Sequence, residues 1–186
     1  MNLHGGRIWA ASQPEQGTTF TFNLPVYSLA KLLLPVITHE QRLRESIVLV
    51  RVDLKPLATP FHGNWKEVCR ESLDLLRRCV FIDKDLVLPA MATNGPEDTF
   101  YVVASTDMAR VNIMTTRILE QIGSLTRVKS TGSVRASARP VEFSAMPEKT
   151  LEQRVAEVAR VVTELVLSDL RTMNGFNPKE NHANAN

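Results

Sequence analysis

The stretch of residues 47–54 constrains the fold of this chain more than any other feature. Six of its eight residues are apolar and four of those are β-branched. A short run of this kind is typical of a strand in the interior of a sheet. Because such a strand needs neighbours on both sides, the rest of the chain must supply further strands.

Two helices are predicted after this strand. Asn64 is followed three residues later by Glu67, which is a helix-capping signature. Ser105, Thr106 and Asp107 offer caps for the second helix, which Gly123 would close. The residues predicted to line the inner faces, at helical spacing, are Trp65, Val68, Cys69, Leu73, Leu76 and Val80 in the first helix and Val111, Met114, Ile118 and Ile122 in the second.

Further strands are predicted between and after these helices. They cover residues 85–91, Thr99–Ala104 and, as one broken strand or a hairpin, residues 128–144, with a turn at 93–98. The resulting order is strand, helix, strand, strand, helix, strand. This is the split β-α-β-β-α-β arrangement of ferredoxin-like α+β sandwiches, which belong to the mixed α/β proteins.

Two capping boxes predict additional helices. Thr38 with Gln41 predicts a short helix over residues 39–45, after a linker or short helix at 27–37. Thr150 with Gln153 predicts a last helix that ends near Leu170. Residues 174–186 are polar and rich in asparagine, so we expect a disordered tail.

The N-terminal segment has a different pattern, that of a β-hairpin. Residues 7–11 are expected to form one strand, and residues 18–24 alternate polar and apolar side chains with Phe20, Phe22 and Leu24 on one face. Residues 13–17 include a proline and a glycine, which suit a turn.

This hairpin resembles the one that closes the ATP-binding domain of sensor histidine kinases. In that family the domain ends with His-Gly-Gly-x-Ile-Trp, a polar turn, Gly-(Ser/Thr)-x-Phe-x-Phe and Leu-Pro. The matching residues here are HGGRIW at 4–9, GTTFTF at 17–22 and Leu24-Pro25. The resemblance implies that the chain comes from the C-terminal end of such a kinase.

The other motifs of the kinase family have no match in this chain. An Asn-bearing helix, an Asp-x-Gly loop and a Gly-x-Gly loop bind ATP in the family and lie upstream of the hairpin, as does the phosphoacceptor histidine. His4 belongs to the Gly-Gly turn, so it is not a candidate phosphoacceptor. Without a glycine-rich loop the chain lacks the backbone N–H groups that bind the phosphates of ATP. We therefore predict no catalytic, cofactor-binding or metal site in this chain, and expect ATP and Mg²⁺ only in a longer parent protein.

The β-α-β-β-α-β unit resembles a degenerate GGDEF domain, of nucleotidyl-cyclase type, over about residues 38–167. In that family the first strand ends in Asp-x-Asp, which binds metal and nucleotide; Asp53 matches the first carboxylate and Lys55 replaces the second. The signature turn matches residues 94–100, rearranged around Pro96, with Glu97 and Asp98 as its acids. Two-metal chemistry needs convergent carboxylates, so we expect no cyclase activity. A divergent cyclase centred on Asp53 is the alternative.

Composition and the other polar residues indicate no further chemistry. A net charge of +2 favours neither nucleic acid nor membrane as a partner. Cys69 and Cys79 lie ten residues apart on a predicted helix, about 15 Å of rise, so they are expected to be reduced. His39 and His62 lack ligand spacing, and the serines lack a nucleophile motif. The four cations Arg127, Lys129, Arg135 and Arg139 are interpreted as an ordinary solvated face, and a basic strand face for an anionic partner is the weaker hypothesis.

These patterns together predict a signalling protein. The expected division is a hairpin at 1–27, a linker or short helix at 28–46, a GGDEF-like domain at 47–171 and a tail at 172–186. The second domain is expected to be non-catalytic, with a regulatory or interaction role. We expect a cytoplasmic location, because no signal peptide or membrane span is found, and protein partners such as a response regulator or the kinase dimer. A stand-alone partner- or ligand-binding module is a further alternative.

Overall fold

The computed structural model describes residues 7–13, 17–23, 28–58, 63–81, 83–88, 98–143 and 148–173. Its strands are β1 (Arg7–Gln13), β2 (Gly17–Asn23), β3 (Thr38–His39), β4 (Arg42–Leu43), β5 (Val48–Pro56), β6 (Asp85–Val87), β7 (Thr99–Ala104) and β8 (Gly132–Pro140). Its helices are α1 (Leu29–Ile37), α2 (Trp65–Cys79), α3 (Met108–Ser124), α4 (Thr126–Thr131) and α5 (Leu151–Met173).

Four strands form the main sheet, in the order β6-β7-β5-β8, and every neighbouring pair is antiparallel. With α2 between β5 and β6, and α3 between β7 and β8, the connectivity is β-α-β-β-α-β. The predicted ferredoxin-like arrangement is therefore confirmed. Strand β5 lies in the interior of the sheet, between β7 and β8, as its apolar run predicts.

Helices cover both faces of this sheet. Side chains alternate along β5, so Val48, Val50 and Val52 pack into one core with α2 and α3. Leu49 points to the opposite face and joins a second core with α1 and α5. Burial on both faces explains why β5 has a nearly continuous apolar sequence rather than an alternating one.

Three of the predicted helix caps are present. The Asn64 side chain accepts a hydrogen bond from the Glu67 amide at 3.3 Å, and Asp107 accepts one from the Arg110 amide at 2.9 Å. Thr150 and Gln153 exchange two bonds, which is a complete capping box.

Gly123 does not close α3 as predicted. The helix continues through Gly123 and ends at Ser124, and of the described glycines just Gly17 has a positive φ. A left-handed C-cap is therefore not used here.

The predicted helix over residues 39–45 is wrong. Strands β3 and β4 pair there as a small antiparallel hairpin, whose turn residues Glu40 and Gln41 have φ of 47° and 60°. Thr38 does not cap a following helix, because its hydroxyl donates to the Leu34 carbonyl at 2.6 Å and so closes α1.

Other predicted boundaries shift or fall outside the described residues. Residues 126–131 form α4, so the strand predicted from residue 128 begins at Gly132. The last helix extends to Met173, three residues beyond the predicted end. His62, most of the turn at 93–98 and the tail at 174–186 lie outside the described residues.

Candidate functional site

Asp53, the residue matched to a metal-binding carboxylate, lies near the end of β5 on the face that also carries Leu49. Its Oδ1 accepts hydrogen bonds from Arg51 Nε at 2.9 Å and from Thr99 Oγ1 at 3.0 Å. Arg51 Nη2 lies 2.8 Å from the same oxygen. The strand geometry explains these contacts, since Arg51 is two residues away on the same face and Thr99 is the register partner of Asp53.

The surroundings of Asp53 do not fit a two-metal centre. Lys55, at the position of the family's second carboxylate, is exposed on β5 opposite Ser133. Nowhere in the described part of the chain do three histidine, cysteine, aspartate or glutamate side chains come close enough to hold a metal ion. A guanidinium already neutralises Asp53. The arrangement is therefore that of a structural ion pair.

A second ion pair lies on the same face, between the sheet and the last helix. Asp169 of α5 has its Oδ2 2.9 Å from Arg139 Nη2 of β8, and Arg139 also donates to the Leu165 carbonyl at 2.6 Å. Both carboxylates of this face thus have their own arginine. Sequence reasoning did not find Asp169, because its partner is thirty positions away and no local motif marks it.

Tyr101 is the buried member of this group. It lies opposite Arg51 on β7, it is fully buried, and its hydroxyl makes no hydrogen bond of good geometry with any described residue. Burial, reinforced by the negative charge of Asp169, raises the pKa of Tyr101 to about 12. Its hydroxyl therefore stays protonated throughout the neutral range.

The structure contradicts the weaker hypothesis of a basic strand face. Arg127 and Lys129 belong to α4 rather than to a strand, and Arg127 Nη1 lies 2.9 Å from Glu67 and 3.3 Å from Glu71. Arg139 is held by Asp169. The four cations thus do not share one face of a strand.

The cysteines and His39 carry no site either. Cys69 and Cys79 are both buried and are not joined in a disulfide, as predicted, and burial raises the pKa of the Cys79 thiol above its ordinary value. His39 is an exposed residue of β3. Among the described residues, no helix is both long enough and apolar enough to cross a membrane.

The predicted N-terminal hairpin is present, with strand ends that differ from the prediction by one or two residues, while residues 1–6, 14–16 and 24–27 lie outside the described part of the chain. Strands β1 and β2 pair in antiparallel register from Arg7↔Asn23 to Gln13↔Gly17, and the hydroxyls of Ser12 and Thr18 share a hydrogen bond of 2.9 Å. Three large apolar side chains of this hairpin are exposed: Ile8 by 55%, Trp9 by 51% and Phe20 by 68%. Exposed apolar side chains of this size favour contact with a partner surface.

Comparison with known proteins finds a short similarity to sensor kinases. The chain is 56% identical over 27 residues to the adaptive-response sensory kinase SasA of Synechococcus sp. strain CC9311. It is 52% identical over 27 residues to the protein of the same name from strain CC9902. Each match covers 14% of this chain and spans 7% of the length of the relative.

No model of a known protein family matches the chain, and no solved structure matches it. The similarity thus relates the chain to signal-transduction kinases through a short segment. It lends no support to the GGDEF resemblance, which rests on topology and on Asp53.

Proposed function

We propose that this chain is the C-terminal portion of a two-component sensor histidine kinase. In this proposal the hairpin β1–β2 closes the ATP-binding domain, and the ferredoxin-like unit is a non-catalytic regulatory or interaction domain. The observation that supports it is the two-part motif of residues 4–25, together with the local similarity to sensory kinases. The partners would be a response regulator and a second kinase subunit.

The exposed apolar side chains of the hairpin support this proposal. An isolated two-stranded hairpin is at best marginally stable in water. Covering an apolar side chain contributes about 1.5–3 kcal/mol, and Ile8, Trp9 and Phe20 are each more than half exposed. By the strand register Ile8 and Phe20 lie on one face and Trp9 on the other, so the remainder of an ATP-binding domain would have to contact both faces.

The ferredoxin-like unit is assigned a non-catalytic role because the strand-end carboxylate matched to the family's metal ligands is already bound by protein groups. Asp53 is bound by Arg51 and Thr99, and Lys55 stands where a second metal ligand would be needed. A domain with two complete apolar cores is instead suited to presenting its outer surfaces to a partner.

ATP binding by the chain itself provides one test. We expect titration calorimetry with MgATP to show no saturable binding, because the chain has no match to the family's phosphate-binding loops. The control is the protein translated from the coding sequence extended upstream, which should bind MgATP. Micromolar binding by the chain alone would overturn the division of roles proposed here.

The upstream coding sequence provides the second test. The proposal expects an in-frame Asn-bearing helix and a Gly-x-Gly loop before the codon of Met1. An in-frame stop codon close upstream would contradict the proposal and favour an independent binding module.

A further inference from the structure

A cavity of about 240 Å³ opens at the end of the main sheet that is opposite to Asp53. Its walls come from three places: the segment after β4, the turn before β6 and the start of α3. The side chains that matter for its chemistry are Arg44, Phe81, Asp83, Lys84, Asp85 and Arg110.

Two of the three cations around this cavity have no ion-pair partner in the described part of the chain. Neither Arg44 nor Lys84 forms an ion pair within 4.0 Å there, and the Nε of Arg44 is buried without a hydrogen-bond partner. Arg110 forms one long ion pair, from its Nε to Asp107 Oδ2 at 3.8 Å, and its side chain is 75% exposed. Two unpaired cations and one weakly paired guanidinium thus lie at one opening.

The acids near the cavity do not pair with Arg44 or Lys84. Asp85 is 6% exposed, and its Oδ2 accepts the Phe81 amide at 2.7 Å, so this carboxylate is committed to the turn. Asp83 is exposed beside it, and Asp107 lies against Arg110. The three acids equal the three cations in number, but Arg44 and Lys84 have no ion-pair partner within 4.0 Å among the described residues, so their N–H groups remain for a ligand.

We propose that this cavity binds a small molecule that carries an oxyanion, a phosphate or a carboxylate. Charge-assisted hydrogen bonds from Arg44, Lys84 and Arg110 would hold the anionic group. Phe81, which is 61% exposed at the rim, offers an apolar wall for the body of the ligand. The volume is below the usual range of drug-sized pockets, so the ligand is small.

The backbone amides at the start of α3 do not contribute to the proposed anion site. Asp107 already caps that helix by accepting the Arg110 amide, and Ser105 donates its hydroxyl to the Val36 carbonyl at 2.9 Å. The proposal therefore rests on the unpaired cations and the cavity. It is independent of the kinase proposal, because every residue concerned lies outside the hairpin.

Titration calorimetry with pyrophosphate and, separately, with succinate tests this site and distinguishes the two anion chemistries. We expect saturable binding of at least one probe to the whole chain. Arg110→Gln should weaken that binding at least tenfold, about 1.4 kcal/mol. Because its side chain is largely exposed, this substitution should leave folding intact. Arg44→Gln should have the same or a larger effect.

Arg42→Gln is the matched control, since Arg42 is exposed on the neighbouring β4 strand and does not line the cavity. It removes the same charge and should leave the affinity unchanged. The proposal is overturned if neither probe saturates below about 10 mM, which is weaker than the millimolar affinity a specific small-anion site should reach. An equal loss of affinity in Arg42→Gln and Arg110→Gln would also overturn it, because binding would then follow net charge alone.

Discussion

Gly132 lies at a close contact between the main sheet and α2. A Cβ atom placed on this residue would lie 2.9 Å from Trp65 Cη2 and 3.2 Å from the Lys55 carbonyl oxygen. The backbone carbonyl cannot move without disturbing the pairing of β5 with β8. The position is therefore closed to any side chain, although its φ of −148° would suit one.

We predict that Gly132→Ala lowers the free energy of unfolding by about 1–3 kcal/mol, the usual cost of overpacking a core. Gly123→Ala is the control. Gly123 lies within α3, and its added Cβ would be 3.7 Å from Val134 Cγ1 of β8, an ordinary van der Waals distance. Because alanine favours the helix, it should stabilise the chain by up to about 1 kcal/mol. Urea unfolding measures both, and equal effects of the two substitutions would contradict this account of the packing.

The raised pKa of Tyr101 predicts that the folded chain loses stability at high pH. Its pKa is raised in the folded chain from 10.0 to about 12, so the folded state holds the phenolic proton more tightly than the unfolded state. The associated stability is fully present below pH 10 and is lost as the pH rises towards 12. The pKa difference of about 2 between the folded and unfolded states corresponds to about 3 kcal/mol of folding free energy.

The Tyr101→Phe variant isolates this effect from the titration of other groups. At pH 8 the substitution should change the stability by no more than about 1 kcal/mol, because the hydroxyl has only a contact of poor geometry with Asp169 to lose. At pH 11.5 the variant should be more stable than the original chain, as measured by urea unfolding. A constant difference between the two proteins across this range would show that Tyr101 is not the buried group described here.

At the scale of elements, the local sequence predicts a strand or helix well when its apolar pattern already shows which of its faces are buried. β7 was predicted at the residues where it occurs, and β5 within one or two, because strands buried on both faces are almost wholly apolar. The helix expected at 39–45 failed because a capping box is a local signal. Glu40 and Gln41 take left-handed conformations in a turn, although neither residue type favours that conformation.

The candidate site was less predictable than the fold. Asp53 could be singled out by its place at a strand end, but its bond to Thr99 joins residues 46 positions apart. That contact depends on the register of β5 with β7, which a single sequence does not specify. The ion pair of Arg139 with Asp169 likewise depends on how α5 crosses the sheet.

The hairpin and the main sheet should differ in local stability. We predict that amides of β1 and β2 exchange with deuterium within seconds to minutes in the monomeric chain, whereas those of β5 and β7 are protected up to the global unfolding free energy. The reason is that Ile8, Trp9 and Phe20 are exposed, while β5 and β7 are buried on both faces. Hydrogen exchange with mass spectrometry measures this, with light scattering to confirm the monomer. Comparable protection in both regions would contradict the prediction.

At the scale of the whole molecule, the two parts of the chain differ in how far their apolar side chains are buried. The ferredoxin-like unit has a sheet with both faces covered and its ionic groups paired on the Asp53 face. The hairpin has exposed apolar side chains and a motif that resembles the end of a larger domain. This contrast supports the proposal that the hairpin is the kinase-derived part and the larger unit an attached domain.

Phosphotransfer by the upstream-extended protein tests this account most directly. Incubated with γ-labelled ATP and Mg²⁺, that protein should acquire an acid-labile, base-stable phosphate on a histidine that precedes residue 1. The 186-residue chain alone should acquire none. If the extended protein forms no phosphohistidine under conditions where it is folded, or if the 186-residue chain labels equally, the proposed origin in a sensor histidine kinase is contradicted.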